Sequence, residues 1–368
     1  MRKSGRRLVT VTFRKSRLFP NEYDICLTVK IELTTDMDFL CARVRGLRSK
    51  LYAGPSLLAL ARLATSAAYY ERVLSGKVPP SHTEGERSLI TAHVEHLLRL
   101  CGFLAGRRRQ AFEWLTRRYQ IENLKVLLRA RSQKIGAEKI QDLLFELPEE
   151  LSLPVDEILS AGDTESLARA IPLDAISGGI LRAAGLPDDS RLPFFLESAI
   201  EKAFLTEGLD RVSKVGRAER ARCMNLLARE VMSHNVLFVW RAMKNYSLGA
   251  ALLRDFLVLH GPFEKSAGYL RAFEGDDIAA TLQALGMSNV LGGRQAVPAT
   301  AAGLEAALQA WLYRAARRCY AESLSDFGVV VSYYYLKRFE LQDLLRLSEA
   351  LRQGLGPDEA ITHLVTVR

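Results

Sequence analysis

Long apolar runs are missing from this chain. The best candidate, Leu57 to Tyr70, is broken by Arg62, and nothing reaches the ~18–20 uncharged apolar residues that a membrane-crossing helix needs. Membrane association is therefore expected only through a partner. Cysteine is scarce as well. The five cysteines, Cys26, Cys41, Cys101, Cys223 and Cys319, form no CxxC pair and no zinc-like spacing. An odd, scattered set without a signal peptide reads as reduced and cytosolic.

The common catalytic signatures are also lacking. No GxxxxGK[ST] loop is present, since Gly76-Lys77 runs into Val78 with no glycine five residues before Gly76. That excludes a phosphate cradle of the P-loop kind. There is no GxGxxG, GxSxG or HExxH. No catalytic residue, cofactor site or metal set is expected.

The composition that remains is that of a globular protein, with 48% hydrophobic and 25% charged residues. A length of 368 residues exceeds what one hydrophobic core usually serves. The net charge is +9, and residues 1–36 carry eight basic against four acidic residues. The excess over the remainder is mild. It favours acidic partners over the dense basic stripe of a nucleic-acid binder.

Residues 1–36 differ from the rest. Leu8–Phe13 and Ile25–Leu33 alternate and are β-branched at Val9, Val11, Val29 and Ile31. This is either a small β or irregular extension, or sequence upstream of a true start at Met37. Helical spacing then takes over: Leu40, Val44, Leu47 and Leu51, and later Ile90, Val94, Leu97 and Leu104 after a Thr83–Glu86 capping signal. Prolines 148, 154, 172, 187 and 193 cut the middle into short pieces. Long helices resume from Phe194 to about Asn245 and from Leu304 to about Gln353. The fold class expected is all-α.

Internal repetition is the strongest signal. Asn123-Leu-Lys-Val-Leu-Leu-Arg129-Ala130 aligns with Asn235-Val-Leu-Phe-Val-Trp-Arg241-Ala242 at an offset of 112. Gly162-Asp163 aligns with Gly275-Asp276 at 113. A third copy places Asp343 at 108 after Asn235, with Glu349 where arginine stood. A period near 110 excludes the short solenoid repeats. It predicts an N-terminal extension (1–36) and three helical units at 37–150, 151–260 and 261–368.

Asparagine is a poor helix former, so its repetition mid-helix implies a fixed hydrogen-bond partner. That partner is either a neighbouring helix of the same unit or another protein. Arg118, Glu122, Lys125 and Arg129 share a helix at i, i+3 and i+4 spacing. They read as a surface charge cluster and a rim for docking. His93 and His96 read as partly exposed helix histidines without a third metal ligand. The arginines at 107–109, 117–118 and 317–318 read as solvated or bridged faces. Trp114, Trp240 and Trp311 read as core. Tyr333-Tyr334-Tyr335 covers too wide an arc for all three rings to be core, so one ring is expected to meet solvent or a partner.

Several of these stretches together resemble one family. Ala42-Arg-Val-Arg-Gly-Leu-Arg-Ser-Lys-Leu51 is similar to the opening helix of the C-subunit family of V/A-type (vacuolar/archaeal-type) ATPases, whose vacuolar equivalent is the d subunit. Gln120-Ile-Glu-Asn-Leu-Lys resembles that family's recurring Asp-Ile-Glu-Asn-Leu-Lys. Tyr335-Leu336, Glu340–Leu344 and Gly356-Pro-Asp-Glu359 resemble its C-terminal helix pair. The resemblance spans about residues 37–368 and departs at Gln120, at Met232-Ser-His-Asn235 and at Asp343. It implies three similar helical bundles around a pseudo-threefold axis, forming a funnel-like socket on the cytoplasmic side of the membrane. The partners implied are the central shaft and the proteolipid ring of a rotary ATPase, joined without chemistry in this chain. A helical scaffold for protein or RNA is the alternative.

Overall fold

A computed structural model describes residues 7–14, 26–33, 36–183, 192–246, 250–261, 264, 278–291 and 300–367. Strands β1 (Arg7–Arg14) and β2 (Cys26–Leu33) pair antiparallel, from Arg7↔Leu33 to Arg14↔Cys26. Every other regular element described is helical.

The first stretch holds α1 (Asp36–Arg48), α2 (Pro55–Ala61), α3 (Ser66–Val73), α4 (His82–Cys101), α5 (Gly106–Thr116) and α6 (Arg118–Ser132). Short helices follow: α7 (Ala137–Ile140), α8 (Val155–Ser160), α9 (Thr164–Ala170) and α10 (Asp174–Ala183). Next come α11 (Leu192–Ser213), α12 (Arg217–Tyr246), α13 (Ala250–Arg254) and α14 (Ile278–Ala284). The chain ends with α15 (Ala301–Glu322), α16 (Phe327–Gln353) and α17 (Pro357–Thr362).

Local chemistry sets several boundaries. Ser81, two residues before the predicted Thr83, caps α4 by accepting from the Glu84 amide at 3.2 Å. Asp163 and Ser166 form a reciprocal capping box on α9. Its repeat counterpart, Gly275-Asp276, lies outside the described residues. Thr300 caps α15 and Asp326 caps α16. Gly354, at φ +70°, ends α16 in a left-handed conformation that glycine adopts without strain.

Three hairpins of long helices organise the body: α4 with α5–α6, α11 with α12, and α15 with α16. The second arm of each packs on the first arm of the next. Thus α5 and α6 lie on α11, α12 lies on α15, and α16 returns to α4. The contacts close in a cycle, and α12 and α16 also touch each other. Helix α4 buries Leu89, Ile90, His93, Val94, Leu97 and Leu100 on one stripe. Helix α16 is covered on every side along Phe327–Leu336. Tyr333, Tyr334 and Tyr335 are all buried, at no more than 1% exposure, which corrects the expectation of an exposed ring. Each hydroxyl is satisfied: by His96 Nε2 at 2.9 Å, the Leu115 carbonyl at 2.9 Å and Glu230 at 2.7 Å. Three arcs of a helix can all be core when three neighbours cover it.

Candidate functional site

The repeated polar residue performs one task three times. On α6, Asn123 donates to the Phe145 carbonyl at 2.9 Å and accepts from the Phe145 amide at 2.8 Å. On α12, Asn235 donates to the Val258 carbonyl at 2.9 Å and accepts from its amide at 3.0 Å. In both, a carboxamide pairs with the donor and acceptor of one backbone residue. On α16, Asp343 has no N–H to give. There the chain turns two amides to it, Val365 at 2.9 Å and Thr366 at 2.7 Å, and Arg346 pairs with it at 3.0 Å. Each latch ties a long helix to the segment 22 or 23 residues downstream. The partner is backbone beyond the hairpin rather than a neighbouring helix.

Five residues before each latch stands a charge: Arg118, Glu230 and Arg338. They meet inside the ring. Glu230 Oε1 lies 3.1 Å from Arg118 and 2.6 Å from Arg338, and its Oε2 accepts from Tyr335. Arg118 also binds Glu201 on α11 through two contacts of 2.7 and 2.8 Å and stacks 4.3 Å above Phe204. Lys125 reaches the same Glu201, and Glu122 at 3.1 Å.

This corrects the surface reading of the α6 cluster. Arg118 and Lys125 are buried, at 8% and 9% exposure, Glu122 is half-buried, and Arg129 alone is exposed. Spacing along one helix shows which charges are neighbours, but not that α11 and α12 cover them. Sequence reading misses Glu201, Glu230 and Arg338. A signal exists for two of them, because the register of the latch places Arg118, Glu230 and Arg338 at one repeat position.

Ionisation follows from these contacts. Burial pushes the Glu230 carboxyl up, but the Arg338 and Arg118 guanidiniums and the Tyr335 hydroxyl overcome it and hold the group at about 2. Glu201 is likewise held well below the usual range, against its burial, by Arg118 and Lys125. His234 is driven down to about 4 by burial, with Glu201 opposing and Lys125 and Arg118 assisting. Of the pair predicted to be partly exposed, His96 is so and His93 is interior. His93 is buried and bonds Tyr119 at 2.7 Å, while His96 bonds Tyr333. Burial lowers both, His96 to about 4. Their partners differ, so they form no common metal site.

An acid-labile fold follows. Near pH 6.5 the unfolded chain protonates these histidines, while the folded chain refuses the proton until about pH 4 for His96 and His234. Stability is therefore complete above about pH 6.5 and lost as pH falls towards 4; His234 alone contributes roughly 3 kcal/mol to that loss. Thermal melts between pH 7.5 and 4 should show a falling midpoint, and His234→Gln should flatten the curve. An unchanged midpoint down to pH 4.5 would contradict the assignment.

Around the triad lies a cavity of about 620 Å³. Helices α6, α11, α12, α15 and α16 all contribute to its wall, and Phe194, Leu237, Phe238 and Leu308 supply apolar patches between the charges. Further out stand two ion pairs related by the repeat, Arg129–Glu197 at 2.6 Å and Arg241–Glu305 at 2.7 Å. Among the described residues, the lining holds no hydrogen-bonded nucleophile–base pair. It can receive a side chain or a helix tip of mixed charge. The arginines at 107–109 serve the fold: Arg107 holds the Lys214 carbonyl, Arg108 pairs with Glu219 at 2.8 Å and Arg109 with Glu113 at 2.6 Å.

No described helix is long and apolar enough to cross a membrane. No sequence among the curated proteins matches the chain. A family model described as ATP synthase (C/AC39) subunit matches residues 40–362, nearly its whole length. The chain therefore belongs to the C/AC39 family of V/A-type ATPase subunits.

Proposed function

We propose that the chain is the non-catalytic coupling subunit of a rotary V/A-type ATPase. In this reading three pseudo-threefold-related units, at about 37–150, 151–260 and 261–368, form a funnel-like socket on the cytoplasmic face. The socket seats the central shaft and rests on the proteolipid ring. Family membership supports the complex. The observation that carries the coupling role is the open cavity where the three hairpins meet, with exposed charges at its edge. A torque-bearing joint needs shape fit and several charges together, because a single exposed ion pair contributes only about 0–1 kcal/mol.

The exposed rim tests this reading. Arg129 and Arg241 have side chains 57% and 45% exposed, so replacing both with glutamine, which sets no acid against Glu197 and Glu305, should leave the fold intact. Association with the isolated shaft subunits should slow by about tenfold or more at low salt, with the difference shrinking at high salt. Unchanged association at every salt concentration would remove the cavity edge as the docking rim. The scaffold alternative gains no support from the 107–109 arginines, which are committed to internal partners.

A further inference from the structure

The three hairpins meet in three seams, and two are closed alike. Six residues after the latch, Arg129 grips Glu197 with two hydrogen bonds of 2.6 and 2.7 Å, and Arg241 grips Glu305 at 2.7 Å. Each of those glutamates stands near the start of the next hairpin's first arm. In the third seam the same positions are held by Glu349 on α16 and Glu86 on α4. Acid faces acid where the other seams have a cation.

His82 lies between them. Its Nε2 is 3.2 Å from Glu86 Oε1 and 3.7 Å from Glu349 Oε2. That nitrogen is shielded from solvent and makes no aligned hydrogen bond. The other ring nitrogen, Nδ1, is 3.3 Å from the Tyr70 hydroxyl and 3.4 Å from Ser348 Oγ. Those two hydroxyls bond each other at 2.6 Å. The Tyr70 ring is seated over Gly85, where any Cβ would lie 2.3 Å from it. The imidazole is thus fixed through Nδ1 with Nε2 left to donate, as metal-ligating histidines usually are.

The three ligand atoms all fall within 4.8 Å of one another. Donors about 2.0–2.1 Å from a tetrahedral ion stand roughly 3.3 Å apart, close to the separations measured from Nε2. Arg352 holds Glu349 at 2.7 and 2.5 Å and keeps it ionised. A carboxylate offers about four lone-pair sites, so this contact leaves others for an ion.

We propose that His82, Glu86 and Glu349 form a divalent-cation site that closes the third seam, doing there what arginine does in the other two. One imidazole nitrogen with two carboxylate oxygens suits a borderline ion such as Zn²⁺ rather than Mg²⁺ or Ca²⁺, which prefer all-oxygen shells. The site joins the first and last hairpins, so the ion would staple the cycle shut. This inference is independent of the coupling role.

Calorimetric titration of the full-length, chelator-treated protein with Zn²⁺, alongside thermal melts with Zn²⁺ or Mg²⁺, tests the site. Expected are one saturable Zn²⁺ per chain, a raised melting temperature, and no response to Mg²⁺. Glu86→Gln and Glu349→Gln, both at half-exposed positions, should fold normally in chelator and bind Zn²⁺ at least tenfold more weakly. Tyr70→Phe should give a smaller loss. The absence of saturable Zn²⁺ binding would overturn the proposal. So would equal affinity in both glutamine variants, since the ion would then sit elsewhere, for instance at Cys319.

Discussion

Replacing Glu230 with alanine should destabilise the protein by about 3–5 kcal/mol, among the largest losses open to a single side chain. Glu230 is 7% exposed and neutralises the buried guanidinium of Arg118 and the partly buried one of Arg338, which come from different hairpins. Its removal leaves Arg118 sharing Glu201 with Lys125 and leaves Arg338 without its carboxylate. It also strips the Tyr335 hydroxyl of its acceptor. Glu230→Gln keeps the volume and one acceptor yet still removes the anion, so it should recover only part of the loss. Replacing Arg118, Glu230 and Arg338 together with apolar residues of similar size should cost less than Glu230→Ala alone, because no uncompensated charge remains. Urea denaturation of the three variants reads all of this. A loss below about 1 kcal/mol for Glu230→Ala would mean that water or a side-chain shift satisfies the arginines, and the triad would then not be the fold's electrostatic centre.

The second large effect is expected at the latches, where each copy requires its own residue. Asn235 is fully buried, and alanine there orphans both the amide and the carbonyl of Val258. At about 1–3 kcal/mol for each of the two orphaned groups, Asn235→Ala should cost roughly 2–6 kcal/mol. Asn235→Asp should be comparably harmful, because a carboxylate would face the Val258 carbonyl with no donor to offer. The converse exchange, Asp343→Asn, should also destabilise, by about 1–3 kcal/mol. It would aim N–H at the amides of Val365 and Thr366 and lose the charge that Arg346 meets. Asn and Asp are thus each right in their own copy. If either exchange is neutral, the latch geometry does not select the residue.

How much of this can be read from the sequence differs from element to element. The helices from Met37 onward are legible because their apolar spacing is regular over three and more turns. The latch is legible as a repeated polar residue in an unfavourable helical position. Its partner is not, because Phe145, Val258 and Val365 contribute only backbone, which carries no sequence signature. The Arg118–Lys125 face misleads for a related reason. Charges at i and i+4 look alike whether water or another hairpin lies above them, and burial depends on Glu201 and Glu230, more than 75 residues away in the chain. The tyrosine run shows the same limit, since an all-round buried helix cannot be told from an amphipathic one by three adjacent rings. The start of α4 shifts by two residues because Ser81 and Thr83 both carry a capping hydroxyl, and tertiary packing decides between them.

The cavity formed by the three hairpins has meaning only if something seats in it. The most direct measurement is the ratio of ions pumped to ATP hydrolysed by the complete rotary ATPase in sealed vesicles, with and without this subunit. Loss of pumping without the subunit, with ATP hydrolysis by the soluble head preserved, is the expected result, restored on adding back the wild-type chain. Normal pumping per ATP in its absence would contradict a coupling role.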